Sequence, residues 1–456
     1  MSRQIYFLGI GGIGMSALAR FYCHTGACVS GYDRTPSALT RELEQEGISI
    51  HYEDNIALIP RPVIEEPNRT LVVYTPAIPP DHQEWNYFQQ RGYKIIKRAH
   101  ALGEIASSKS CLAVAGTHGK TTTSTLLAHL FTHSGVGCTA FLGGISKNYQ
   151  TNLLISRGPW LVAEADEFDR SFLQLYPNMA VVTAVDGDHL DIFGDYAHVE
   201  QAFMHFIAQI KPGGALVIKE GVLPDLSPHQ VYTIYRYALE QPSDFWASHI
   251  TCGADGCYGF TLHLLDQSIH HCRLNTPGYI NIENSVAAAA IAFLNGIPPR
   301  QIKEALQGFS GVARRFDIQV NQRGVVYIDD YAHHPAEIAA ALHSIRNMYP
   351  GKKITAIFQP HLYTRTRDFA DDFGDALSLP DELILLPIYP AREAPIKGVS
   401  SEMLLHKVRL ANKHLVDKEA VIDFLASRPV EVLVTLGAGD IDRLVPQIKT
   451  LLEGRT

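Results

Sequence analysis

Short apolar runs alternate with helix-length amphipathic stretches along most of the chain. Ile5 to Ile10 reads as a first strand, Met15 to Thr25 as a helix, Ala27 to Tyr32 as a second strand and Leu71 to Thr75 as a later one. Such alternation implies βαβ units and a parallel sheet. A second series starts at Cys111 to Ala115, passes a glycine turn into a helix from about Lys120, and continues with strands at Trp160 to Ala163 and Met179 to Val185. Between Leu216 and Thr276 the pattern loosens into short polar and aromatic pieces, which suggests antiparallel additions to that sheet. Ile282 to Leu294, with its alanine run, reads as a packed helix. A third series places strands at Val325 to Ile328, Ile354 to Phe358, Leu383 to Leu386 and Val430 to Leu436. The breaks between series fall near residues 106 and 316.

Length agrees with three series: 456 residues at a prior of about 150 per domain gives roughly three domains. Apolar residues make up 46% and charged residues 19%, and no apolar run approaches the ~18 residues of a membrane span, so no membrane insertion is expected. The N-terminal apolar stretch is interrupted by glycines and lacks a small-residue cleavage site, so it reads as a strand rather than a signal peptide. Seven scattered cysteines, an odd number, argue against a disulfide framework and fit a reducing cytoplasm. Cys252, Cys257, His270, His271 and Cys272 match no tight zinc-ligand spacing. A net charge of −8 without a lysine- or arginine-rich run gives no footprint for nucleic acid.

Two glycine turns carry the chemistry. Gly9-Ile10-Gly11-Gly12-Ile13-Gly14 follows a strand and opens a helix, with Asp33 at the end of the next strand. Such a turn lets backbone N–H groups and a helix N-terminus approach a diphosphate. Taken alone it suits a nicotinamide or flavin dehydrogenase, a sugar nucleotide, or a merely structural turn. Ala115-Gly116-Thr117-His118-Gly119-Lys120-Thr121-Thr122 is a phosphate loop with Val114 where the general pattern has glycine. Its amides would cradle phosphates, Lys120 would neutralise β/γ charge and Thr121 would reach Mg²⁺. Glu164-Ala165-Asp166-Glu167-Phe168-Asp169 ends a strand, where carboxylates are natural magnesium ligands. His189 stands among Asp186, Asp188 and Asp191 at another strand end, which favours a metal role over a structural one. A dehydrogenase leaves the second motif unexplained, and a regulatory ATPase leaves the first.

The order of these motifs, followed by Asn281-Ile282-Glu283-Asn284, Arg314-Arg315-Phe316 and Asp330-Tyr331-Ala332-His333-His334-Pro335, resembles the Mur ligases over nearly the whole chain. The resemblance implies an α/β fold of three domains: a Rossmann-like domain for a UDP-sugar (1–106), a central P-loop ATPase domain (107–316) and a Rossmann-like domain for an amino acid (317–456). It implies ATP with Mg²⁺, Mn²⁺ being an alternative, and it points to no particular protein partner. Gly116, Thr117, His118, Gly119, Lys120, Thr121 and Thr122 would bind ATP, with Asn281 and Asn284 at adenine, Asp330 at the ribose and Arg315 on the transferring group. Helix capping is the competing reading of the two asparagines. Thr121, Glu164 and His189 would hold the metal.

Gly9, Gly11, Gly12, Gly14, Met15, Ser16, Asp33, Thr75, Pro76, Ala77 and Arg98 resemble the UDP-N-acetylmuramate site of the alanine-adding branch. Tyr331, His333, His361 and Arg365 would receive L-alanine. Leu362 stands where many relatives have arginine, which removes a second possible cation beside Arg365, and Ala332 stands where glycine is common. Branches that add later residues carry a carbamylated lysine downstream of the metal histidine, and Val199 to Phe206 contains no lysine. The expected reaction is ligation of L-alanine to UDP-N-acetylmuramate through an acyl phosphate. The alternative is the muropeptide-recycling branch, which attaches a tripeptide to the same UDP-sugar.

Overall fold

The computed structural model describes residues 3–186, 196–223, 226, 231–253, 256–322, 324–391 and 393–454. Strand β1 (Gln4–Leu8) shows how sequence pattern becomes architecture. Ile5 and Phe7 enter one core while Tyr6 and Leu8 enter another, all four fully buried, because successive strand side chains point to opposite faces. Burial on both faces requires a central strand. With β2 (Cys28–Tyr32), β3 (Ser49–His51), β4 (Thr70–Tyr74) and β5 (Lys94–Lys97), the order among the described residues is β3-β2-β1-β4-β5, and every neighbouring pair is parallel. The order reverses at β1, so its C-terminal end is the switch point at which open α/β sheets bind ligands.

Ser110–Ala115 (β6) holds the corresponding place in a second, ten-stranded sheet. Its companions are β7 (Thr139–Ser146), β8 (Thr151–Leu154), β9 (Trp160–Glu164), β10 (Met179–Val182), β11 (Ala215–Lys219), β12 (Thr233–Leu239), β13 (Phe245–Cys252), β14 (Tyr258–Leu264) and β15 (Gln267–Leu274). Among the described residues the order is β15-β14-β13-β12-β11-β10-β6-β9-β7-β8, and β6 pairs in parallel with both β9 and β10. The loose stretch after Leu216 continues the sheet with parallel pairs as far as β13, whereas an antiparallel pair lies at β7 and β8.

The third sheet comprises β16 (Asp317–Gln322), β17 (Val325–Asp330), β18 (Ile354–Phe358), β19 (Glu382–Leu385), β20 (Lys413–Leu415) and β21 (Val432–Leu436), in the order β16-β17-β21-β18-β19-β20. Among the described residues only the β16 and β17 pair is antiparallel.

The chain forms two compact units, residues 1–250, 259–275 and 282–310 in one, and residues 251–258, 276–281 and 311–456 in the other. The first two sheets share the first unit, and a single core runs from Ile5 and Phe7 through Ala113 and Leu161 to Phe203. Helix Ile13–His24 makes the join: Phe21 lies 5.4 Å from Phe141, and Asn152 Nδ2 donates to Ile13 O at 2.7 Å and Ser16 Oγ at 2.8 Å. Both Asn152 and Ser16 are fully buried, so these bonds are shielded from water. No helix among the described residues is long and apolar enough to cross a membrane, and all seven cysteines are free thiols.

Candidate active site

The glycine turn leaves β1 and enters helix Ile13–His24. Its shape is fixed by Asp33, whose Oδ2 accepts Gly11 N at 2.7 Å and whose Oδ1 accepts Thr35 N at 3.1 Å. Asp33 therefore organises the turn itself. Ser16 is committed to the join with Asn152, while Met15, buried, lines a cavity of about 250 Å³ at the turn. Gly14, Thr75 and Arg98 line that cavity together with Gly143, Glu164 and Asp166. Arg98 Nη2 reaches Asp166 Oδ2 at 3.1 Å. Gly9 and Gly12 frame the turn, where Gly12 N donates to Gly9 O at 3.4 Å, and Pro76 and Ala77 are exposed in the turn after β4.

The phosphate loop leaves β6 beside two strand ends that also carry candidate residues: Glu164 closes β9, and Asp186 follows β10. Gly116 has φ +139°, and a Cβ there would stand 2.0 Å from Thr183 Oγ1. Only glycine fits this corner. The Thr183 hydroxyl donates to His118 O, Thr117 Oγ1 donates to Asp186 Oδ2 at 3.2 Å, and His118 Nε2 lies 3.5 Å from the same carboxylate. Gly119 caps helix Lys120–His133, in whose first turn Thr121 and Thr122 are buried.

Lys120 Nζ donates to Gly116 O at 2.7 Å, Thr117 O at 3.3 Å and Glu167 Oε1 at 2.9 Å. Burial opposes the ammonium charge, but the carboxylates of Glu167, Asp166 and Glu164 outweigh it and hold the lysine above its ordinary range. At Glu167 burial pushes the carboxyl up to about 7 and Lys120 pulls it back. Asn284 Oδ1 accepts Thr123 Oγ1 at 3.2 Å, and Asn281 Nδ2 donates to Pro277 O at 2.5 Å. Both asparagines lie inside helix Tyr279–Leu294 rather than ahead of it.

The expected metal ligands are Thr121, Glu164 and His189, and His189 lies outside the described residues. Glu164 sits over Gly143, where a Cβ would fall 2.2 Å from Oε2, so the missing side chain makes room for the carboxylate. No group of three His, Cys, Asp or Glu among the described residues could hold a metal by itself. Magnesium commonly takes one or two carboxylates together with substrate phosphates, and manganese accepts the same oxygen donors. A hydroxyl and a carboxylate beside a phosphate loop fit that habit.

In the second unit, Asp330 closes β17 and accepts Phe316 N and Ala332 N, each at 2.7 Å. Burial pushes its carboxyl up to about 6, against the pull of Arg315. The guanidinium carbons of Arg314 and Arg315 lie 5.1 and 4.8 Å from the Tyr331 ring centroid, near enough for cation–π attraction. Arg314 is anchored below by Asp329 at 3.2 Å and Gly437 O at 2.7 Å. An aromatic series then runs from Tyr331 to His333 (5.4 Å), to His361 (6.2 Å) and to Tyr389 (5.8 Å, stacked at 20°).

Tyr389, which ends this series, is a residue that the sequence pattern missed. Its backbone holds the loop after β18: Tyr389 N donates to Pro360 O at 2.8 Å and Leu362 N donates to Tyr389 O at 3.0 Å. Leu362 takes φ +72° and ψ 138° and caps helix Tyr363–Asp368, which carries Arg365. Asp368 pairs with Arg367 at 2.7 Å.

Comparison with known proteins matches three family descriptions in succession: Mur ligase family, catalytic domain, over residues 4–110; Mur ligase middle domain over 114–292; and Mur ligase, glutamate ligase domain, over 314–439. The chain belongs to the Mur ligase family. This Mur ligase is 51% identical over 449 residues to the UDP-N-acetylmuramate--L-alanine ligase of Parabacteroides distasonis, covering 98% of the chain and 97% of the relative. It is 48% identical over 454 residues to the protein of that name from Porphyromonas gingivalis, covering 99% of each. Among solved structures, the UDP-N-acetylmuramate-alanine ligase MurC of Thermotoga maritima superposes with a TM-score of 0.83 at 26% identity and full coverage of both chains. The murein peptide ligase Mpl of Psychrobacter arcticus shares the fold, with a TM-score of 0.73 at 22% identity and full coverage of both.

Proposed function

We propose that this Mur ligase joins L-alanine to the carboxylate of UDP-N-acetylmuramate, with ATP as the energy source. The observation that carries the reading is the cavity shared by the glycine turn and the strand-end carboxylates: Gly14 and Arg98 face the same space as Glu164 and Asp166. A sugar nucleotide cradled by the turn presents its acyl group to the side of the molecule where the phosphate loop ends. Full-length relatives named for that activity support the reading.

The muramoyl carboxylate oxygen attacks the γ-phosphorus, the bond to ADP breaks, and an acyl phosphate forms. The alanine nitrogen then attacks the acyl carbon, releasing phosphate and a proton. Most of the catalysis is positioning and charge neutralisation. Lys120 and the amides of Gly116 to Thr122 hold the phosphates, and Arg315 offsets charge on the transferring group. Thr121, Glu164 and His189 would hold Mg²⁺, which when bound screens the phosphate charge. Asn281 and Asn284 receive adenine. Asp330 receives the ribose with lone pairs left over from its two amide bonds.

Gly9, Gly11, Gly12, Gly14, Met15, Thr75, Pro76, Ala77 and Arg98 form the UDP-sugar site, with Asp33 and Ser16 shaping it from behind. Tyr331, His333, His361 and Arg365 receive L-alanine, the arginine fork pairing with its carboxylate. Domain boundaries near residues 106 and 316 belong to the same proposal. Phosphate release on the purified chain tests it: turnover requires UDP-N-acetylmuramate and L-alanine together, and turnover with ATP alone at the same rate would overturn it.

A further inference from the structure

The acidic run after β9 sends its carboxylates to different partners. Asp166 pairs with Arg98 at 3.1 Å, Asp169 with Lys97 at 2.9 Å and Glu167 with Lys120 at 2.9 Å. Their environments differ sharply: the acidic side chains are 34%, 38% and 1% exposed, in that order. Exposed pairs are screened and contribute little, whereas a buried pair is held by its surroundings. Glu167 is therefore the member of the run whose position is most firmly fixed.

The chain turns hard to bring it there. Asp169 and Arg170 take φ 52° and 54° in succession, a left-handed conformation that L side chains disfavour. Local bonds impose it: Phe168 N donates to Asp166 Oδ1 at 3.1 Å, Phe172 N to Asp166 O at 2.9 Å, and Arg170 N to Glu167 O at 2.9 Å. Phe172, 1% exposed, is clamped against Phe206 at 5.0 Å and Phe203 at 5.3 Å.

At the other end of the contact, the Lys120 ammonium has three N–H bonds to offer and meets Gly116 O, Thr117 O and Glu167 Oε1. Two of these acceptors are neutral carbonyls of the loop itself. Glu167 is the carboxyl among them, and it comes from a separate strand end. A nucleotide phosphate that approaches Lys120 competes with this carboxylate.

We propose that Glu167 is a positioning residue of the phosphate loop: it holds the Lys120 ammonium against Gly116 and Thr117 and sets how strongly that ammonium meets a nucleotide phosphate. The inference rests on the assignment of Lys120 to ATP given above. Removing the Glu167 charge while keeping a side-chain oxygen lowers the competition, so nucleotide binds more tightly, and it loosens the lysine, so turnover slows. The opposite movement of the two quantities is what a merely structural glutamate would not produce.

The test is a double-mutant cycle on the full chain, with Glu167→Gln, Lys120→Met and the pair, titrating the β,γ-imido analogue of ATP with Mg²⁺ and without the other substrates. Glu167→Gln is expected to tighten binding about five-fold, the scale of a partly desolvated charge contact. Its kcat falls while the Michaelis constants for UDP-N-acetylmuramate and L-alanine stay within about two-fold. In the Lys120→Met background the same change has no effect on binding, because the partner is gone.

Unchanged or weaker binding in a folded Glu167→Gln variant overturns the proposal, as does an equal effect with and without Lys120. If Glu167→Gln does not fold, the double variant, which removes both charges, must regain the wild-type Tm; failure to do so also overturns it. Unchanged binding in Lys120→Met alone strikes instead at the assignment of Lys120 to ATP.

Discussion

The phosphate loop after β6 and the loop after β18 both bend the chain sharply at the C-terminal end of a parallel strand, and they do so with opposite means. At Gly116 the bend is made by a residue that adopts φ +139° without strain and leaves room for Thr183. At Leu362 a branched side chain is held at φ +72°, a conformation that costs about 1–3 kcal/mol and persists only where the surroundings over-determine it. Those surroundings are Tyr389, bonded to the loop on both sides, and Thr366, whose hydroxyl donates to Leu362 O at 2.7 Å. The first loop, proposed to hold phosphates, turns on a glycine and keeps its corner free of side chains. The second presents side chains, His361 and Arg365, and can tolerate strain as long as Tyr389 holds it.

The comparison can be broken at several points. Lys120→Ala is expected to lower ligation about a thousand-fold or more, since contacts to a transferring phosphoryl group are worth several kcal/mol. Phosphate release from a folded variant within a few-fold of wild type contradicts this. Next in size, Gly116→Ala places a Cβ against Thr183 and forces an L residue to positive φ. A loss of about 3 kcal/mol, seen as a lowered denaturation midpoint, is expected.

Arg365→Ala removes the cation offered to the alanine carboxylate and should raise the Michaelis constant for L-alanine about 10- to 100-fold, with those for ATP and UDP-N-acetylmuramate unchanged. Since Asp368 already pairs with Arg367, a lowered Tm with a normal alanine constant would move the carboxylate site elsewhere. Smallest of all, Leu362→Gly relieves the strained backbone but frees the unfolded chain, two effects of about 1 kcal/mol each that nearly cancel. Melting should show Tm unchanged or slightly raised, against the large loss at Gly116, and a drop comparable to that of Gly116→Ala would show that the two bends are not made differently.

The same contrast explains what could be read from the chain. A phosphate loop is legible because its requirements are local: glycines where the backbone must turn, then lysine and threonine opening a helix. The strands that flank it were legible for the same reason, as apolar runs. The β7 and β8 hairpin was hidden by its glycines and polar residues, and β5 by its brevity, two isoleucines between lysines. Tyr389 gave no signal, because its role depends on meeting Pro360 and Leu362 beyond the ends of two neighbouring strands, β18 and β19. Asp33, expected at the UDP-sugar, also accepts the amides of Gly11 and Thr35, a partnership that spacing alone does not reveal. Ser16 likewise turned inward to Asn152, more than a hundred residues later.

Mass spectrometry of the product made from UDP-N-acetylmuramate, ATP and an equimolar mixture of L-alanine, glycine, L-serine and the recycling tripeptide tests the central claim most directly. One extra or missing methyl group is worth only about 1–3 kcal/mol in a small pocket, so minor glycine and serine adducts are compatible with the account. The predicted result is UDP-N-acetylmuramoyl-L-alanine as the main product. A tripeptide adduct as the main product, or no adduct with any of the four, would contradict it.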